Sequence, residues 1–107
     1  MAAALNGRPV PYAVGLAVAA AAHAIPIAAM LPGMLTQFVA NLASVGVRAI
    51  PIGQTDGQRV VAALAPLVLE IVADALTLSL DDLGGAALRA DIASMKHETQ
   101  YTRLFRS

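Results

Sequence analysis

A polar, turn-forming stretch at residues 48–59 separates two long apolar segments and constrains the fold more than any other part of the chain. Pro51 cannot continue a helix, because it lacks an amide hydrogen and disfavours helical geometry at the residue before it. Gly53 supplies the permissive backbone that is common just past a helix end. Thr55 is a good N-cap, and Gln58 has the spacing of a capping box. The stretch therefore predicts a corner that joins two helices into a helical hairpin.

Charged residues are absent from most of the first half of the chain. Before Arg48 the only charged side chain is Arg8, and the 107 residues are 58% hydrophobic, above the roughly 45–50% of soluble domains. Seven basic and seven acidic residues give a net charge of zero, which argues against binding to nucleic acid or anionic lipid. The lack of cysteine excludes disulfides, thiolate metal sites and cysteine nucleophiles. It leaves the cellular compartment open, and a cytoplasmic protein is the expectation.

The charge-free run at residues 12–31 is long enough for a transmembrane helix, which needs about 20 apolar residues. Nearly half of the run is alanine, which has little preference for hydrocarbon, and His23 and Pro26 interrupt it. No belt of basic or aromatic residues brackets both ends. A buried helix is therefore favoured, because Ala-rich helices pack closely against other helices. A small membrane-embedded helical protein is the alternative.

Hydrophobic periodicity predicts an all-α fold, a helical bundle fragment with a long kinked helix and a C-terminal tail. The predicted helices cover about residues 12–24, 33–49, 56–80 and 86–96. A break is expected at Pro32 and Gly33, and Pro66 is expected to kink the third helix. Residues 81–85 are predicted as a loop and residues 97–107 as the tail.

No group of residues in the sequence is typical of an active centre. Glu70 and Asp74 share a helix face, but no histidine or nucleophile is placed beside them, so a solvated stripe is favoured. His23 and His97 lie far apart, which disfavours a metal site. The glycine-rich motifs that bind nucleotide phosphates are absent. These observations predict a binding protein rather than an enzyme, with no catalytic, cofactor or metal residues.

Several segments resemble the UreF family of urease accessory proteins. Residues 41–48 (NLASVGVR), continuing into residues 52–59 (IGQTDGQR), are similar to the middle of that family. Residues 81–84 (DDLG) and 89–107 (RADIASMKHETQYTRLFRS) are similar to its C-terminus nearly letter for letter, and residues 12–16 (YAVGL) fit its preceding helix. UreF proteins are considerably longer. The resemblance therefore implies a single UreF-like domain over residues 1–107 that is the C-terminal half of a longer protein.

The resemblance also implies partners. UreF-like proteins dimerise, bind the accessory protein UreD (also called UreH), and with it recruit the GTPase UreG to deliver nickel to apo-urease. By this resemblance the chain is a non-catalytic scaffold and regulator, and the nickel ligands are expected mainly on its partners. Residues 96–107 are expected to dock on UreD, with Tyr101, Arg103 and Phe105 as anchors. Expected near the GTPase are Arg48, Gln54, Asp56 and Gln58. Arg48 is equally suited to stabilising its own helix end.

Overall fold

The computed structural model describes residues 9–101, and within this range it contains helices and no strands. The prediction of an all-α fold is confirmed. The α-helices are α1 (Tyr12–Ala22), α2 (Ile27–Ala49), α3 (Gln54–Ala75) and α4 (Leu88–Glu98), with a short 3₁₀ helix at Leu80–Asp82. The chain forms two compact units, Met1–Leu76 and Thr77–Ser107.

Helix α1 ends in a tight turn that divides the charge-free run between two helices. The amide of Ile25 donates to the Ala20 carbonyl at 2.9 Å, and the amide of Ala24 donates to the Ala21 carbonyl at 3.2 Å. This pair of bonds is the Schellman arrangement, with Ala24 at φ 54° in the position that usually holds glycine. Pro26 is the extended N-cap of α2, so the predicted interruption of the run is confirmed.

The predicted break at Pro32 and Gly33 is wrong, because α2 is continuous from Ile27 to Ala49. Pro32 removes only the hydrogen bond that its amide would have made to the carbonyl of Ala28. Apart from Gly33, the residues around the proline are alanine, methionine and leucine, which are strong helix formers. The helix therefore accommodates one missing bond. It is also long and apolar enough to cross a membrane, a criterion that core helices of soluble proteins meet as well.

The corner between α2 and α3 has the predicted helical hairpin, but its N-cap differs. Ile50 is extended at φ −126° and ψ 149°, as expected before Pro51. Helix α3 begins at Gln54 with Gly53 as N-cap, and no side chain caps it. The capping box predicted for Thr55 is therefore wrong: Thr55 already lies inside the first helical turn. Gly53, which was predicted to follow the end of α2, is extended and serves as the N-cap of α3 as well.

Helices α2 and α3 pack closely where α3 begins. Gly57, in the first turn of α3, is buried, and a Cβ atom at this position would lie 2.7 Å from Cγ2 of Val47. This separation is shorter than real Cβ contacts, so glycine allows the two backbones to approach. Further along α3, Val68 and Val72 are also buried.

The end of α3 comes earlier than predicted, at Ala75 instead of near residue 80, and Pro66 lies inside the helix. Ser79 caps the following 3₁₀ helix, which replaces part of the predicted loop, and forms a capping box with Asp82. A side chain that bonds the backbone in this way offers an alternative to continuing a helix. Helix α4 covers residues 88–98, close to the predicted 86–96.

The prediction that the first helix is buried is wrong within the described residues, 9–101. Ala20 is its single buried residue, while Tyr12 and Val14 are exposed. In the described part of the chain, α2 is the helix packed against α1, so the remaining faces of α1 have no cover.

Candidate functional site

The corner residues Gln54 and Gln58 lie one turn apart at the start of α3 and line a small cleft against α2. The cleft has a volume of about 160 Å3, and Ser44 lies on its α2 side. Amide and hydroxyl groups of this kind supply both hydrogen-bond donors and acceptors. The structure thus brings two of the predicted partner-binding residues together. The sequence signal for the opposite wall is the helical spacing of small residues on α2, at Ala40, Ala43 and Ser44.

Asp56 forms an exposed ion pair with Arg59, with 2.9 Å between Oδ1 and Nη1. Such a surface pair contributes about 1 kcal/mol or less to stability. Asp56 also lies in the first turn of α3, where a negative charge interacts favourably with the helix dipole. Arg59 was not among the predicted partner-binding residues, although its spacing of three residues from Asp56 is the signal for this pair. A partner at the corner would meet both charges.

Arg48 lies in the last turn of α2 and is exposed. A positive charge at this position stabilises the helix through its interaction with the helix dipole. The stabilising role and the partner-binding role of Arg48 are therefore compatible.

Helix α4 presents an apolar stripe to solvent. Leu88, Ile92 and Met95 follow helical spacing, and the exposed fractions of Leu88 and Met95 are 71% and 63%. Tyr101, just after the helix, is fully exposed. Arg103 and Phe105 lie outside the described residues. The apolar stripe lies directly before residues 96–107, the segment predicted to dock on a partner. The helical spacing of the stripe is visible in the sequence, whereas its exposure is seen only in the structure.

The acidic pair Glu70 and Asp74 lies on exposed positions of α3, as the interpretation of a solvated stripe expects. Within residues 9–101 no group of three or more histidine or acidic side chains is arranged to hold a metal ion.

Asp82 accepts hydrogen bonds from the amide and the hydroxyl of Ser79, both at 2.8 Å. These two donors, the backbone amide first, hold the pKa of Asp82 below its usual value. Because the folded-state pKa is depressed, the stabilisation of this turn is present above the unfolded-state pKa. It is lost as the pH falls through the folded-state pKa.

We expect Ser79→Ala to raise the pKa of Asp82 part of the way to its usual value, because the hydroxyl donor is lost while the backbone amide remains. Carbon-13 NMR titration of the Asp82 carboxyl measures this change. Ser79→Thr keeps a hydroxyl and should leave the titration close to that of the original chain. Superimposable curves for the original chain and Ser79→Ala would show that the hydroxyl does not act on Asp82.

Comparison with known proteins relates this chain to one protein family. A family model described as UreF matches residues 1–65. A urease accessory protein UreF of Rhodopseudomonas palustris (strain BisB18) is 57% identical over 96 residues, covering 90% of this chain and 40% of that relative. The UreF protein of Xanthobacter autotrophicus is 55% identical over 106 residues, covering 99% of this chain and 43% of that relative.

A third relative, the urease accessory protein UreF of Cereibacter sphaeroides, is 51% identical over 108 residues, covering 98% of this chain and 51% of that protein. The chain thus spans between two fifths and one half of the length of these relatives. No solved structure matches the chain.

Proposed function

Since this chain belongs to the UreF family of urease accessory proteins, we propose that it is a scaffold and regulator in nickel-dependent urease maturation, with no catalysis of its own. The observation that carries the proposal is the similarity to curated UreF proteins over 90–99% of the chain. Because the chain spans less than two thirds of those relatives, their whole activity and their partners are part of the proposal.

The proposed UreD-binding surface is α4 together with the tail of residues 96–107. Leu88 and Met95 on α4 and the fully exposed Tyr101 support it, since exposed apolar and aromatic side chains are the residues that anchor protein interfaces. Arg103 and Phe105 belong to the same proposal by position in the family motif. Binding at this surface would hold the chain on a UreD-type partner.

The proposed surface for the GTPase UreG is the corner between α2 and α3. The Gln54–Gln58 cleft and the exposed Asp56–Arg59 pair support it, because they place amides and both signs of charge at one helix start. Arg48, at the other end of the corner, completes this surface.

The proposal includes a homodimer in the cytoplasm. Leu42 and Val60 are both exposed and line an apolar depression between α2 and α3, which is a surface that a second copy can cover. Nickel would be carried mainly by the partners and passed to apo-urease within the complex. The comparisons give no support to the membrane-embedded alternative.

We expect this chain to affect urease activation in cells that lack their own UreF. Urease activity and urease-bound nickel are measured in such cells with an empty vector, with this chain, and with a full-length relative as the positive control. A change in activity or nickel content relative to the empty vector supports the proposal. Urease at the empty-vector level, with the chain soluble and the full-length relative active, would contradict it.

A further inference from the structure

The Gln54–Gln58 cleft includes the residues at which α3 approaches α2 closely. Gly57 on α3 and Val47 on α2 form this contact, and both line the cleft. Gln54, Gly57 and Gln58 have the spacing of one helix face, so the buried glycine lies on the same side of α3 as the two amides. A change in the separation of the helices at Gly57 therefore changes the width of the cleft.

The lining of the cleft carries no charge. It consists of alanine, valine, glycine, serine and glutamine residues, and the ion pair of Asp56 and Arg59 is not part of it. An uncharged cleft of about 160 Å3 holds a partner group by fit and by hydrogen bonds, which weaken steeply when donor and acceptor are poorly aligned. Binding in this cleft therefore depends on its width.

A residue larger than glycine at position 57 would widen the cleft. The Cβ atom of an alanine would lie 2.7 Å from Cγ2 of Val47, whereas carbon atoms in contact are optimally about 3.5–4.0 Å apart. Because a valine in a helix has one strongly preferred rotamer, the helices must instead separate by roughly 1 Å. Functional sites are held within about 0.5 Å of their productive geometry, so a shift of this size is large enough to weaken binding.

We infer that Gly57 is a positioning residue: it sets the width of the Gln54–Gln58 cleft, and the affinity of the corner for its GTPase partner depends on that width. Gly57 is buried and has no side chain to offer a partner, so it acts through the two glutamines that share its helix face. The inference rests on the proposed GTPase surface and adds to it a residue that makes no polar contact.

The variant Gly57→Ala tests this inference. Binding of a purified UreG-type GTPase is measured on the immobilised chain in the presence of UreD, and binding of UreD is measured separately. We expect the affinity for the GTPase to fall about tenfold, the effect of losing one or two hydrogen bonds. Alanine favours a helix more than glycine does, which offsets part of the cost of the contact, so circular dichroism should show a folded chain. The affinity for UreD should stay unchanged, because its proposed surface is α4 and the tail.

Two further variants separate positioning from a general loss of structure. Val47→Ala removes Cγ2, the atom that the new Cβ would meet, so the double variant Val47→Ala/Gly57→Ala should recover the original affinity to within about threefold. Gly46→Ala is the matched control at the same corner. Its Cβ would lie 3.1 Å from Cδ1 of Ile52, the end of a longer side chain that can turn aside, and the GTPase should bind it normally.

Undiminished GTPase binding by Gly57→Ala would overturn this inference and leave the proposed surface standing. So would an unfolded Gly57→Ala chain, a double variant that stays weak, or an equal loss in Gly46→Ala, since each indicates a general loosening of the hairpin. If the original chain does not bind the GTPase, the proposed surface is refuted together with the inference.

Discussion

Deletion of residues 96–107 is expected to lower the affinity of the chain for a UreD-type protein by about a hundredfold or more. Truncation of an interface hot spot costs about 2 kcal/mol or more, and tyrosine and arginine are the residues most often found in that role. Since about 1.4 kcal/mol corresponds to a tenfold change in affinity, the loss of two such anchors accounts for the expected effect. Tyr101 and Arg103 are the two anchors that this argument invokes.

Point variants separate this effect from damage to α4, because the deletion also removes the last residues of that helix. Binding to immobilised UreD is measured for Tyr101→Ala, Arg103→Ala and the neighbouring control Gln100→Ala. We expect a loss of tenfold or more for the first two, and almost none for Gln100→Ala. Undiminished binding after the deletion would refute the assignment of the tail, and the complementation experiment would still test the wider function.

Gly57→Leu is expected to lower the free energy of unfolding of the α2–α3 hairpin by about 3 kcal/mol. A Cβ at Gly57 alone would lie 2.7 Å from Cγ2 of Val47, and a leucine adds three further carbon atoms at the same place. Val47 cannot relieve this contact easily, since β-branched side chains in helices have one strongly preferred rotamer. The two helices must therefore separate, and their contact loosens along its length.

Gly15→Leu is the matched control, because Gly15 also lies in the first turn of its helix and a Cβ there has no neighbour within 4 Å. Leucine is a better helix former than glycine by somewhat under about 1 kcal/mol, so this variant should be neutral or slightly stabilising. Urea denaturation followed by circular dichroism, at one protein concentration for all variants, compares the midpoints. Equal midpoints for Gly57→Leu and the original chain would show that the helices do not need the close approach at Gly57.

The helical hairpin could be predicted from sequence because Pro51 acts on its own backbone and on that of Ile50, whatever the rest of the chain does. The helix starts and breaks were less predictable. Thr55 was predicted as the N-cap of α3, and the structure has Gly53 in that position, two residues earlier. Pro32 was predicted to break a helix that continues through it, since the cost of one lost hydrogen bond is local and the residues around it favour the helix.

The candidate surfaces were predictable to different degrees. The acidic residue Asp56 is an obvious polar residue at the corner, and its spacing from Arg59 indicates the ion pair. The close approach at Gly57 depends on how two helices pack against each other. The hydrophobic periodicity within either helix does not predict that packing. The same limit applies to the exposed faces of α1. The pattern of apolar residues predicts that α1 needs neighbours, and only the structure identifies which faces lack them.

The uncharged stretch from residue 9 to residue 47 also determines which solution conditions act on the exposed apolar faces of α1 and of the first half of α2. Salt screens interactions between charges, and this stretch carries no Asp, Glu, Lys or Arg. Association through these faces is therefore expected to weaken on cooling and to strengthen with excluded co-solutes such as sulfate or sucrose, through the hydrophobic effect. A lower temperature, and not a higher ionic strength, is expected to keep the chain from associating through them.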